Sequence, residues 1–236
     1  EKLIFPKLKN VFTVNQSIAD IYKNKYNVEV KVLRNLPFKN IIEKTQTKQS
    51  LKLPLNKSII ILQGAGINID RGAEELLEAI AISDNLFLCI VGSGDVIEIL
   101  KKRSCSEDLR NKVLFTGKLN YSDMMQYTMN STVGVSLDKD TNINYRLSLP
   151  NKIFDYVKAD IPVVCSNLIE VAAIVNQFQI GLISPSHDPE DILNTINKLI
   201  DSNEQNQYKP NLHKAMEVLN WENEVKVLIN TYSELG

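Results

Sequence analysis

Histidine and cysteine are scarce in this sequence. Two histidines, His187 and His213, and three cysteines, Cys89, Cys105 and Cys165, fall far apart, so no metal-ligand spacing can be drawn. They support no Ser/His/Asp arrangement either. Cys89 and Cys165 stand inside apolar runs and read as buried thiols of a reducing compartment, not as a disulfide framework. Charge of one sign is also lacking. With 27 basic and 28 acidic side chains the net charge is −1, which speaks against a nucleic-acid or other polyanion binder while leaving room for local basic sites. No apolar run nears the roughly 18 residues of a membrane span. No signal peptide, internal repeat or low-complexity tract is found, and the chain has a cytoplasmic character. It begins at Glu1, without methionine, directly in folded-type sequence, which leads us to expect a piece excised from a longer protein.

What is present is the composition of an ordinary globular protein, 44% apolar and 23% charged. The spacing predicts a first βαβ unit: strand 11–14, helix 17–25 and strand 28–33, closing at Arg34-Asn35-Leu36-Pro37. Residues 39–57, rich in Lys, Gln and Thr and poor in periodicity, read as a linker. From Ser58 a longer series follows. Strands are predicted at 59–63, 86–91, 112–115, 132–137, 162–165 and 181–183. Helices are predicted at 70–82, 96–102, 122–129, near 150–158, 169–177 and 189–201. A helical tail covers 214–235. Runs such as IIIL, LFLCIV and PVVC describe strands buried on both faces, hence a Rossmann-like parallel α/β sheet with helices on both sides. Such sheets bind ligands beyond the carboxyl ends of their strands. That directs attention to the loops 64–71, 92–95, 117–121 and 138–152.

In LSLPNKIFDYVKADIPVV, residues 147–164, Ser148 is a candidate helix N-cap and Pro150 suits a first turn. Lys152 is unusual there, because the free N–H groups of a first turn favour acidic side chains. It is either a solvated lysine or one that shares an anion with the helix N-terminus. Asp70 reads as an N-cap that puts Arg71 in a first helical turn as well. Two such cations on the ligand edge could clamp a diphosphate. Asp155, one turn beyond Asn151 and Lys152, is either solvated or an acceptor for vicinal hydroxyls of a ribose. Gly64-Ala65-Gly66 and Gly92-Ser93-Gly94 lack the third glycine of a dinucleotide fingerprint, and no Walker lysine pattern occurs. His187 and His213 read as surface residues, and Trp221 as an anchor for the tail.

Taken in order, these segments resemble the C-terminal, donor-binding half of a family 4 retaining glycosyltransferase of the GT-B fold. ILQGAGINIDRGAEELLEAI resembles its opening strand, glycine loop and basic helix start. LCIVGSGD and VLFTGKLNYSDMMQY resemble the next two strand–turn units, and SLPNKIFDYVKADIPVVCSN a Pro-Asn-Lys form of the donor-site helix. LNWENEVKVLINTY resembles the closing helix that crosses back toward the N-terminal domain. The resemblance covers 58–236. It implies a donor-binding domain at 58–215, a crossing helix at 216–236, a linker at 39–57 and, at 1–38, the last βαβ of an otherwise missing acceptor-binding domain.

It also implies roles. Arg71, at the basic Arg71-Gly72 helix start, would contact the diphosphate of a UDP- or GDP-sugar, with Lys152 assisting from the Pro150-Asn151-Lys152 turn. Gly64 and Gly66 would let backbone approach the phosphates. The Gly117-Lys118-Leu119 backbone would meet the base, and Asp155 the ribose. No catalytic residue, cofactor or metal would be needed from this half. The acceptor would be a glycan or a lipid-linked acceptor in bacterial surface polysaccharide synthesis, with peripheral membrane association of the full protein and no nucleic-acid partner. Ala65 departs from the family, where an arginine is common, and Leu147 stands where many members have the first of two glutamates. A nucleotide-sugar 2-epimerase and a non-catalytic Rossmann-like domain are the alternatives.

Overall fold

A computed structural model describes residues 1–233. Its centre is a six-stranded, wholly parallel sheet of β3 (Ser58–Gly64), β4 (Leu86–Gly92), β5 (Val113–Gly117), β6 (Val133–Ser136), β7 (Val163–Cys165) and β8 (Gly181–Ile183), in the spatial order β5-β4-β3-β6-β7-β8. From β3 the chain moves outward through β4 and β5, then returns to the other side of β3 for β6, β7 and β8. The order therefore reverses between β3 and β6, and a crevice opens beyond their carboxyl ends, at Gly64 and at Leu137-Asp138. Ile59, Ile60, Ile61, Leu88 and Cys89 are fully buried, as continuous apolar runs in a sheet covered on both faces require. Burial pushes the thiols of Cys89 and Cys165 up to about 12.

The sheet is the Rossmann-like one expected, and most elements fall within two residues of their predicted bounds. Before it comes a separate two-stranded parallel sheet, β1 (Val11–Thr13) and β2 (Val30–Val32), joined by α1 (Gln16–Tyr26). Asn15 caps α1 by accepting from the Ile18 N–H, and its amide donates to the Leu147 carbonyl at 2.7 Å, tying this unit to the segment between β6 and β7.

The polar composition of 39–57 belongs to a pinned segment. The Gln126 side chain accepts from the N–H groups of Thr45 and Gln46 and donates to the Glu43 carbonyl, while Leu51 and Leu53 are buried. Long polar side chains on the opposing helix read its backbone, which leaves no hydrophobic period to detect.

Three local expectations are corrected. Helix α2 spans Ala73–Ala81, not 70–82, and Asp70 does not cap it. Asp70 and Gly72 both take the left-handed conformation, and a Cβ on Gly72 would lie 2.2 Å from the Leu137 carbonyl oxygen. The chain must pass β6 this closely before the helix can begin. Ser148 caps nothing; its hydroxyl donates to the Tyr145 carbonyl. Helix α6 starts at Lys152 (Lys152–Lys158) after an uncapped Asn151. The helical tail expected over 214–235 is two helices, α9 (Ser202–Val218) and α10 (Trp221–Ser233), with 234–235 outside the described residues. Pro210 lies inside α9. The buried stripe Tyr208, Leu212, Ala215 and Leu219 outweighs the roughly 3 kcal/mol that an interior proline costs.

Helix α10 returns along the N-terminal unit. Glu224, 4% exposed, accepts from the Arg34 backbone N–H and from its guanidinium at 2.6–3.2 Å. The Trp221 N–H donates to the Pro37 carbonyl, and its ring meets Phe38 edge-on at 6.5 Å. Among the described residues, no helix is long and apolar enough to cross a membrane.

Candidate functional site

The crevice between β3 and β6 holds a cavity of about 340 Å³. Gly64, Ala65 and Gly66 line it. So do Pro150, Asn151, Lys152 and Asp155, together with Arg71. These residues come from three distant stretches of sequence, so the topology brings together most of the predicted set. Gly72 acts from behind, through its contact with Leu137. Gly117, Lys118 and Leu119 lie at the end of β5 and do not line this cavity.

Helix α6 is seated by Tyr156. Its ring lies flat on Gly134, where a Cβ would be 2.4 Å from ring carbon. Its hydroxyl sits 3.2 Å from the carbonyls of both Ile61 and Val135, sealing the gap between β3 and β6. With α6 fixed there, its first turn faces the crevice and carries Lys152 and Asp155 into it.

Lys152 is not solvated: its side chain is 10% exposed. Burial lowers its pKa; the Asp138 carboxylate opposes the shift and nearby Arg71 adds to it. Its ammonium lies 3.9 Å from Asp138 Oδ1. Arg71 Nη1 donates to Asp138 Oδ2 at 3.2 Å, and the guanidinium stacks 4.6 Å above the Tyr145 ring. Arg71 thus reaches the crevice from a loop rather than from a first helical turn. Two cations share one carboxylate, and Arg71 Nε is buried without an acceptor. Beside Asp138 the two cations outnumber the one carboxylate, and that local excess with the orphaned N–H fits an anionic ligand.

Asp155 has both carboxylate oxygens engaged. Tyr121 Oη donates to one at 2.9 Å and Gln63 Nε2 to the other at 3.1 Å. Gln63 in turn accepts from the Thr128 hydroxyl. Burial raises the Asp155 pKa to about 6, against the opposing pull of Tyr121, Gln63 and Lys158. Asn151 and Asp155 also border a second cavity of about 570 Å³, lined as well by Tyr121, Lys158 and residues of the segment 35–42. Lys158 donates to the Phe38 carbonyl and to Asn40.

Sequence reasoning missed Asp138, Tyr121, Gln63 and Tyr145. Asp138 stood only at the head of a polar segment, and its partners lie 67 residues upstream and 14 downstream, outside any local pattern. Tyr145 rides on a single helical turn, α5 (Ile143–Arg146), too short to show a period. His187 is half-buried behind the site, its Nε2 3.1 Å from the Leu137 carbonyl, whereas His213 is exposed beside Asp160.

No curated protein sequence matches the chain significantly. Solved structures do share its fold. A glycosyltransferase from Rickettsia africae matches at 14% identity and TM-score 0.81, over 99% of this chain and 65% of that one. Sucrose-phosphate synthase from Thermosynechococcus elongatus matches at 19% and 0.78, over 99% and 60%. Anabaena HepE in complex with UDP matches at 14% and 0.78, over 96% and 64%. The chain thus spans a little under two thirds of these relatives. Residues 43–215 match the family described as Glycosyl transferases group 1, a span that includes the whole six-stranded sheet and every residue lining the crevice, and the chain belongs to that family.

Proposed function

We propose that this chain binds the donor of a retaining glycosyltransferase, a nucleoside diphosphate sugar, and that residues 1–38 end an N-terminal domain that holds the acceptor. The observation that carries the reading is the convergence of Arg71 and Lys152 on a single carboxylate at the switch point, with Arg71 Nε buried and unpaired. Bond cleavage at the anomeric carbon leaves negative charge on the departing diphosphate. Two preorganised cations and the backbone N–H groups of 64–66 and of the α6 N-terminus meet that charge. The residues here supply it without a protein nucleophile or a metal. Asp155 is mostly ionised at neutral pH and takes the ribose hydroxyls by sharing its oxygens with Tyr121 and Gln63. The loop Gly117-Lys118-Leu119 approaches the base.

UDP is the favoured nucleotide, since HepE was solved with it, and GDP is the second choice. The acceptor is a glycan or a lipid-linked acceptor, in bacterial surface polysaccharide synthesis on the cytoplasmic face of a membrane. Thermal-shift titration with UDP, GDP, ADP and CMP tests the donor site. A ligand at a hundredfold excess over Kd raises stability by about 2.7 kcal/mol. Stabilisation by one diphosphate, lost in Arg71→Ala and Lys152→Ala, is expected. No shift with any nucleotide would refute donor binding by this chain.

A further inference from the structure

Asp138 has no part in the transfer described above, yet the site is built around it. The residue follows β6 at the switch point and is 1% exposed. Its backbone is pinned on both sides: the Asp138 carbonyl accepts from Ser166 Oγ at 2.6 Å, and the preceding Leu137 carbonyl faces His187. One carboxylate oxygen takes the Arg71 guanidinium. The other, Oδ1, has no hydrogen bond and faces the Lys152 ammonium across 3.9 Å. These are the two cations that a diphosphate needs.

We propose that Asp138 is a resident counter-anion of the donor site, which neutralises half of the Arg71–Lys152 clamp and sets the affinity for the nucleoside diphosphate by competing with it. The proposal rests on the donor-site reading. In the empty protein a carboxylate makes a buried ammonium beside a half-buried guanidinium tolerable. When a diphosphate enters, the same carboxylate becomes a fixed like charge beside it and weakens its hold. Such an arrangement suits a site that must release its nucleotide product after each turnover. A merely positioning Asp138 predicts the opposite sign, because its loss would let Arg71 swing away and weaken binding.

The test is calorimetric titration of the wild type and Asp138→Asn with UDP, GDP, pyrophosphate and uridine. Asp138→Asn is expected to tighten diphosphate and pyrophosphate binding about tenfold or more and to leave uridine unchanged. Since a buried Lys152 left without its carboxylate can destabilise that variant, the same substitution is also made in a Lys152→Met background, where only the half-buried Arg71 needs a counter-ion. There too it is expected to tighten binding relative to Lys152→Met alone. Equal or weaker binding in both backgrounds would overturn the role of Asp138 while leaving the donor site standing. A wild type that binds none of UDP, GDP and pyrophosphate would instead overturn the donor site, and the proposal with it.

Discussion

Replacing Lys152 by methionine should separate binding from stability. Methionine keeps most of the buried stem and removes only the charge. In the empty protein the ammonium gains attraction to Asp138 at 3.9 Å, about 4 kcal/mol at an effective dielectric near 20. Against this stand the desolvation of a side chain only 10% exposed, of order several kcal/mol, and repulsion from Arg71. The downward shift of its pKa, led by burial, says that burial outweighs the Asp138 attraction. Asp138 keeps its contact with Arg71 in the variant, so no buried carboxylate is orphaned. Lys152→Met should therefore change the stability of the ligand-free protein by less than about 1 kcal/mol, with a gain as acceptable as a loss. Binding is different. One charge-assisted hydrogen bond to a phosphate oxygen is worth about 1.5–3 kcal/mol, so the Kd for the diphosphate should rise by about 10- to 150-fold. Urea unfolding without ligand gives the first quantity and calorimetric titration with UDP the second. An unchanged Kd in a folded variant would refute the clamp. A stability loss above about 3 kcal/mol would make Lys152 a structural keystone instead.

Two further outcomes follow from the same structure. Asp155 is raised to about 6 from an ordinary 3.8, so between these values the folded state binds the extra proton. Its contribution to stability therefore falls as pH rises from about 4 to 6, by about 3 kcal/mol in all. Urea unfolding should show the wild type losing that much relative to Asp155→Asn across the window, and parallel pH profiles would contradict the burial argument. Arg34→Met should leave the Glu224 carboxylate buried with only a backbone N–H for company. A loss of about 3–5 kcal/mol is expected, read as a fall in Tm of roughly 6–20 °C and largely recovered by adding Glu224→Gln. A fall of less than 2 °C would show that α10 is held to the N-terminal unit by other contacts.

The sheet was legible because its strands carry a signal that belongs to them alone. Ile59 to Leu62 and Leu86 to Val91 are apolar without interruption, a pattern that a strand buried on both faces permits and few other elements do. Once the strands are placed, a parallel sheet puts its ligand at their carboxyl ends, and that step located the crevice without any coordinate. The helix boundary at 70–73 was not legible, because its cause lies in another element: Gly72 must clear the Leu137 carbonyl, 65 residues further on. The same holds for α9, whose proline and polar surface conceal a stripe that only α6 and the helices Ile169–Phe178 and Pro189–Ile200 make meaningful. The site divides along the same line. Lys152 was visible as a cation in a first helical turn, a local oddity with a local rule behind it. Asp138 follows no local rule. It is an ordinary aspartate at the head of a polar loop until β3 and β6 lie side by side, and only then do Arg71 and Lys152 close on it. Binding groups that violate a local preference can be read from sequence, whereas groups that balance them electrostatically are defined by distance in space. Conversely, when sequence reveals a buried cation with no local partner, a carboxylate from a distant strand end is the first thing to seek in the fold.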